Sequence, residues 1–360
     1  MSFENLQLSK KKFVEALHQG KILSFEELSQ SLVQNNNENN TAEDLSYFHL
    51  LKSWYTQITE LPFLDQDLHG LEEIIIQDPT YIVFKYNRSK KIFDCDLISN
   101  DLQIAFEVIA QKEQKSWNFK NPFISFYSKF FDKNVRISMS HFSISPEKKS
   151  KVYIRFLNET PYPVKSFTDR SDLVSSLISN KKNILVAGAT GSGKTSFLNA
   201  LLSNCSKEDH LIIMEDTYEL VSPHENTSRL ITNNNENQIV TLNDMLTYAM
   251  RMSPDRMVLG ELRGKEIETY LMSINTGHKG VLSTLHANSA VDALTRLSLM
   301  FKVYSEKEIN MDTILKLLCQ NIDYVVFLKD KKVTELIKVY SSEKDQVFYE
   351  DCLHEEVINA

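Results

Sequence analysis

The chain has 360 residues, of which 24% are charged and 42% hydrophobic, and a formal net charge of −8, a composition typical of globular proteins with more than one domain. Its lysines occur in short, separated groups, so no direct nucleic-acid binding is expected, because such a surface must neutralise phosphates. No apolar run approaches the ~20 residues of a membrane span or resembles a signal peptide. The four cysteines are far apart, which favours free thiols in a reducing cytoplasm over a zinc site or disulfide framework.

The first part of the chain is predicted to hold a helical appendage and a mixed domain. Residues 1–65 show apolar residues at helical spacing. From Leu71 the pattern changes to short β-type runs such as EEIIIQ and TYIVFKYN, arranged around one amphipathic helix. We therefore predict a helical N-terminal appendage at 1–65, a smaller α+β domain at 71–160 and a proline-containing linker at 161–170.

After the linker, strand and helix patterns alternate. The runs NILVAG, HLIIM, RMVLG and VLSTL are apolar and β-type, and helical patterns separate them. This alternation is typical of a parallel sheet flanked by helices. Two further helices and a small antiparallel meander are predicted to complete this region. The predicted fold class is thus α/β, with a parallel-sheet domain at 171–360 that follows the α+β domain and the helical appendage.

The segment GATGSGKT matches the phosphate-loop pattern G-x-x-x-x-G-K-[ST] and lies between an apolar strand and a helix. Its glycines allow backbone N–H groups to surround phosphates, and the helix adds the positive end of its dipole. We expect Lys194 to be exposed and to reach the β- and γ-phosphates, and the Thr195 hydroxyl to hold Mg²⁺. The predicted ligands are ATP and Mg²⁺, and the predicted binding residues are Gly188, Ala189, Thr190, Gly191, Ser192, Gly193, Lys194, Thr195 and Ser196.

Acidic residues follow two of the predicted strands. The run IIMEDTYEL contains Glu215, Asp216 and Glu219, and VLGELRG contains the single carboxylate Glu261. Because the carboxyl ends of parallel strands meet at the ligand crevice, we expect these acids to face magnesium and the γ-phosphate. The alternative for each acid is a helix cap or a position in water.

Four segments in this order make the chain resemble the secretion-superfamily ATPases, also called type II/type IV secretion or traffic ATPases. They are GATGSGKTSFLNAL, EDTYEL, MRMSPDRMVLGELRGKE and TGHKGVLSTLHANS. The resemblance implies a RecA-like P-loop ATPase domain. It also implies that Glu261 is the single Walker B carboxylate, holding Mg²⁺ partly through water, and that Glu219 activates the attacking water.

The resemblance implies roles for three basic residues. His286, which follows VLSTL, corresponds to a γ-phosphate sensor, Arg155 to an arginine that reaches the nucleotide from the N-terminal domain, and Arg229 to a phosphate-side arginine. A packed histidine and exposed ion pairs are the alternatives for these three. The weaker candidates are His278, Arg256 and Arg263.

The resemblance points to one branch of this superfamily. RMSPDRMVLGELRG followed by HANSAVDALTRL looks most like the tight-adherence (Tad/Flp) pilus assembly ATPases. The implied protein is a homo-hexameric, Mg²⁺-dependent ATPase that is cytoplasmic and peripheral at the inner membrane. Its implied partners are a polytopic platform protein and a pilin or secretion apparatus. The alternatives are a type IV secretion traffic ATPase that transfers protein or DNA, and a nucleotide-binding regulatory subunit with little turnover.

Overall fold

The computed structural model describes residues 3–33, 42–65, 67–86, 89–157, 160–235, 238–305, 308–344 and 346–354. The chain forms two compact units, Met1–Leu157 and Asn158–Ala360. Among the described residues, no helix combines the length and apolar character that a membrane span requires.

The first unit combines helices with one antiparallel sheet. Its elements are α1 (Phe3–His18), α2 (Phe25–Val33), α3 (Ala42–Glu60), β1 (Leu71–Asp78), β2 (Tyr81–Tyr86), β3 (Ser89–Phe93), α4 (Ser99–Lys112), β4 (Phe123–Phe130), β5 (Lys133–Ser140) and β6 (Lys151–Phe156). The six strands follow the order β3-β2-β1-β6-β5-β4, and each neighbouring pair is antiparallel. One hydrophobic core joins residues of α1–α3, such as Phe13 and Leu51, to sheet residues such as Ile154. The division of this unit into an appendage and an α+β domain stays a prediction.

The second unit is a helix-flanked sheet. Its first elements are α5 (Ser171–Ser179), β7 (Ile184–Gly188), α6 (Lys194–Leu202), β8 (Leu211–Glu215), β9 (Thr227–Ile231), β10 (Asn233–Asn235), β11 (Gln238–Val240) and α7 (Leu242–Ala249). The later elements are β12 (Arg256–Leu259), α8 (Glu266–Asn275), β13 (Leu282–Leu285), α9 (Ala290–Tyr304), α10 (Met311–Asn321), β14 (Tyr324–Lys329), β15 (Lys332–Glu343) and β16 (Gln346–Asp351).

The main sheet of this unit has eight strands in the order β16-β15-β14-β7-β13-β12-β8-β9. The strands from β14 to β9 pair in parallel, and β15 and β16 add antiparallel edges. All residues of β7, β8, β12 and β13 are buried, because separate hydrophobic clusters cover the two faces of the sheet. The α/β fold with a parallel sheet is therefore confirmed. The predicted meander is continuous with this sheet, because β14 pairs with β7.

Candidate active site

The phosphate loop connects β7 to α6. Gly191 and Gly193 have φ angles of 75° and 98°, which residues with a Cβ atom rarely adopt. A Cβ atom on Gly188 would lie 2.5 Å from the Ser192 hydroxyl and 2.6 Å from the Leu328 carbonyl, so no larger residue fits there. These constraints keep the backbone in the curled path that directs N–H groups towards an anion.

Lys194, the first residue of α6, lies over this loop. Its ammonium donates hydrogen bonds to the carbonyls of Gly188 at 3.0 Å and Ala189 at 2.9 Å. Only 8% of the residue is exposed, so the expectation of an exposed lysine is wrong. The side chain turns back against the loop from the start of the helix, and this burial lowers the pKa of its amine.

Strand order brings the four sequence motifs to one edge of the sheet. The strands β7, β13, β12 and β8 are neighbours in that order, and all run in the same direction. The residues that follow their carboxyl ends are therefore also neighbours. They are the phosphate loop, His286, Glu261 and the segment that begins at Asp216.

A continuous series of polar contacts joins these motifs, and we call it the phosphate-edge chain. Its members are Lys194, His286, Glu261, Arg263 and Asp216. His286 Nδ1 lies 3.4 Å from the Lys194 ammonium, and His286 Nε2 lies 2.8 Å from Glu261 Oε1. A neutral imidazole with its hydrogen on Nε2 satisfies both contacts. Burial and then Lys194 lower the pKa of His286, although Glu261 opposes them, which favours this neutral form.

Arg263 extends the chain to the acidic segment. Its guanidinium lies 2.5 Å from Glu261 Oε2 and 3.5 Å from Asp216 Oδ2. The hydrogen bond to Glu261 raises the pKa of Arg263. Sequence reasoning ranked Arg263 low, although its position two residues after Glu261 was the available signal. Within the phosphate-edge chain, Glu261, Arg263 and Asp216 are thus held in ion pairs. A bound nucleotide and its metal ion would compete for these charged groups.

Glu215 shapes the acidic segment from inside. Its carboxyl is buried and accepts hydrogen bonds from the N–H groups of Glu219 at 3.0 Å and Leu220 at 2.8 Å. Burial raises the pKa of Glu215 to about 7, although these hydrogen bonds oppose the shift. Of the acids predicted at this strand end, Glu215 therefore binds backbone, whereas Glu219 is only partly buried and Asp216 is exposed.

Arg229, on β9, contacts the same acidic segment. It donates to the Leu220 carbonyl at 2.7 Å, lies 4.8 Å from the centre of the Tyr218 ring and approaches Glu215 Oε2 to 4.0 Å. These contacts hold the segment that carries Glu219. The predicted role of Arg229 beside phosphate stays a prediction.

Arg155 belongs to the other unit. It is exposed on β6, opposite Glu73 of β1 and Arg136 of β5 in the strand register. Its predicted action on the nucleotide stays a prediction.

Two weaker candidates lie at the opposite edge of the sheet. Arg256 is the first residue of β12, is 2% exposed and pairs with Asp209 at 2.5 Å. His278 precedes β13, and its Nδ1 lies 3.1 Å from the Ser273 carbonyl at the end of α8. Both residues contact neighbouring structure at the amino ends of the strands, whereas the phosphate loop follows the carboxyl end of β7.

The residues at the phosphate edge fit a nucleotide and magnesium. The Ser192 hydroxyl is buried in the curled loop and has no hydrogen-bond partner among the described residues, so it suits a phosphate oxygen. The Thr195 hydroxyl and the Glu261 carboxylate, both partly exposed, are oxygen ligands of the kind that Mg²⁺ takes. The loop, helix start and lysine supply the donors for phosphate.

Comparisons with known proteins identify the family that the chain resembles. Residues 125–343 match the family described as "Type II/IV secretion system protein". The Type IV secretion system protein VirB11 of Bartonella quintana is 29% identical over 300 residues, which cover 79% of this chain and 83% of that protein.

Two solved structures share the fold. The pilus retraction motor PilT with bound ADP has a TM-score of 0.59 and 19% identity, with 83% of this chain and 84% of that chain covered. The Legionella pneumophila ATPase DotB has a TM-score of 0.55 and 16% identity, with 88% and 81% covered.

Proposed function

The chain belongs to the type II/IV secretion system protein family and is an ATPase of that family, and from this premise we propose that it is a hexameric, Mg²⁺-dependent motor. The motor powers pilus assembly or protein secretion at the inner membrane. The observation that carries the proposal is the phosphate-edge chain, which connects the phosphate loop to the carboxylates of two other motifs. A site that only bound nucleotide would not need Glu219, Glu261 and His286 together.

In the proposed hydrolysis, most groups of the site bind the phosphates and magnesium, and one group activates the attacking water. The loop N–H groups and Lys194 hold the phosphates and oppose the negative charge that develops during transfer. Magnesium, held by Thr195 and Glu261, would neutralise charge on the phosphate oxygens. Glu219 takes a proton from water as the water oxygen bonds to the γ-phosphorus, and the bond to the ADP oxygen breaks.

His286 connects the metal side of the site to the phosphate side. It contacts Glu261 through one ring nitrogen and Lys194 through the other. A phosphate that draws Lys194 away also removes the partner of His286 Nδ1. His286 therefore responds to the γ-phosphate, which is the sensor role that the resemblance implied.

Pilus assembly is the first candidate for the process that this ATPase powers. The segments SPDRMVLGELRG and HANSAVDALTRL support a tight-adherence type of pilus assembly ATPase with a polytopic platform protein as its partner. A traffic ATPase for protein or DNA transfer is the second candidate, and the VirB11 relative favours it. Genes for a pilin and a platform protein beside this one would support the first candidate, and genes for conjugation channel components the second.

Phosphate release by the purified chain tests the activity, and sedimentation with Mg-ATP tests the hexamer. We expect Mg²⁺-dependent release that the Lys194→Ala variant lacks, and a six-subunit species. ATP binding without release, by the chain alone and with its membrane partner, would instead indicate a regulatory subunit.

A further inference from the structure

Asn199 is a buried polar residue on the helix that follows the phosphate loop. It lies on α6, five residues after Lys194, and is 7% exposed. Its Oδ1 accepts from the Val221 N–H at 2.9 Å, and its Nδ2 donates to the Glu219 carbonyl at 3.5 Å. Asparagine is a weak helix former, so these contacts explain its place on α6 better than helix propensity does.

Two other side chains bind the same short segment, so that its backbone is held from three elements. Glu215, from β8, accepts from the N–H groups of Glu219 and Leu220, and Arg229, from β9, donates to the Leu220 carbonyl. With Asn199, five successive polar groups of this backbone have side-chain partners, namely Glu219 N–H and C=O, Leu220 N–H and C=O, and Val221 N–H. We call this arrangement the backbone cradle.

The segment has no regular secondary structure to fix it. Residues 216–222 form bends and irregular loop between β8 and β9, so no helix or strand ladder sets the direction of the Glu219 side chain. The cradle supplies that constraint. Among the residues that the structure describes, Asn199 is the one member of the cradle on α6, the helix whose first residue is Lys194.

We propose that Asn199 is a positioning residue, which ties the phosphate-loop helix to the backbone of Glu219. This inference rests on the proposed role of Glu219 in activating water. Because α6 carries both Lys194 and Asn199, the helix sets the distance between the bound phosphate and the Glu219 carboxylate. An error of about 1 Å in such placement can cost about 10²-fold in rate.

The Asn199→Ala variant tests the inference, with Asn204→Ala as the matched control. Asn204 is also an asparagine near the end of α6, but its amide donates to the Ala200 carbonyl and does not touch the cradle. We expect Asn199→Ala to lower kcat about 10-fold to 10²-fold and to change the Kd of Mg-ATP less than threefold. Asn204→Ala should keep both values.

The Asn199→Asp variant separates the two hydrogen bonds of this side chain, and its kcat is measured at a temperature where circular dichroism shows that it is folded. It keeps the shape of the side chain and the acceptor for the Val221 N–H, but replaces the donor to the Glu219 carbonyl with a carboxylate oxygen. We expect it to melt at a lower temperature than the wild type, because a carboxylate replaces a buried amide, and to lose kcat when it is assayed well below that temperature. Wild-type kcat in both variants would overturn the inference.

A double mutant separates positioning from a general structural role. If Asn199 acts through Glu219, the pair Asn199→Ala and Glu219→Gln should be no slower than Glu219→Gln alone. Losses that multiply would overturn the inference and leave the proposed function intact. A Glu219→Gln enzyme with the wild-type rate would instead overturn the role of Glu219 itself.

Discussion

The central ion pairs at opposite edges of the same sheet differ in burial. The phosphate-edge chain includes Arg263, whose side chain is 61% exposed, and His286, whose side chain is 36% exposed. The distal cluster consists of Arg256, Asp209, Lys181 and Asp255. At its centre Arg256 is 2% exposed and Asp209 is 5% exposed.

One short strand connects the two edges, because Arg256 is the first residue of the four-residue strand β12 and Glu261 lies two residues after its end. The ion pair between Arg256 and Asp209 is buried, and the Arg256 guanidinium also donates a hydrogen bond to the Ile178 carbonyl at 2.6 Å. Such a group has a fixed partner. Ion pairs at the phosphate edge stay accessible and can exchange partners with a nucleotide.

The largest effect is expected from Lys194→Ala. The variant loses a charge-assisted contact to phosphate, so ATP hydrolysis should fall about 10³-fold. Lys181→Ala is the control, since it removes a lysine of the distal cluster, which pairs with Asp209 at 2.9 Å. A phosphate-release assay on both variants decides the matter. Normal hydrolysis by Lys194→Ala would contradict the assignment of the nucleotide site.

Arg256→Ala should lower stability without changing the chemistry. The variant leaves the Asp209 carboxylate buried without its main partner, which costs about 3–5 kcal/mol in the free energy of unfolding. Denaturant unfolding should show this loss. Folded protein should keep the wild-type kcat, and a kcat reduced tenfold in folded protein would place Arg256 in the catalytic machinery.

Glu215→Gln should alter the pH dependence of stability. Burial raises the pKa of Glu215 from 4.5 to about 7, so between these values the folded protein keeps a proton that the unfolded chain has lost. The contribution of Glu215 to the free energy of unfolding therefore falls as pH rises from 4.5 to 7, by about 3 kcal/mol in total. Unfolding at several pH values should show a flatter profile for Glu215→Gln, and identical slopes in the two proteins would contradict the burial of this charge.

Arg263→Ala should have the smallest effect on stability. Its ion pair with Glu261 is largely solvent-exposed on the arginine side, and pairs of this kind contribute about 0–1 kcal/mol. The melting temperature should stay close to that of the wild type, in contrast to Arg256→Ala. A loss as large as that of Arg256→Ala would remove the distinction between the two edges.

Local sequence patterns were sufficient to predict the site residues that follow the carboxyl ends of strands. The phosphate loop, Glu261 and His286 each follow an apolar strand, and parallel strands necessarily bring their carboxyl ends together. The burial of Lys194 could not be read from the motif, because it depends on the path of the loop backbone.

Contacts between residues far apart in the chain could not be predicted from the sequence. Asn199 meets Val221 only when α6 packs beside the acidic segment, and a helical pattern gives no sign of that partner. The pairing of β14 with β7 is of the same kind, since the run DYVVFLKD predicts a strand without its neighbour. Each of these features depends on which elements meet in space.

The most direct test of the division of labour compares Glu219→Gln with Glu261→Gln across magnesium concentrations, with ATP binding and hydrolysis both measured. Glu219→Gln should bind Mg-ATP as the wild type does and hydrolyse it about 10²-fold more slowly at every magnesium concentration, because the general base is lost. Glu261→Gln should need more magnesium to bind ATP and should recover part of its activity at high magnesium. If Glu261→Gln instead binds normally and traps ATP while Glu219→Gln stays active, the two carboxylates have the opposite roles.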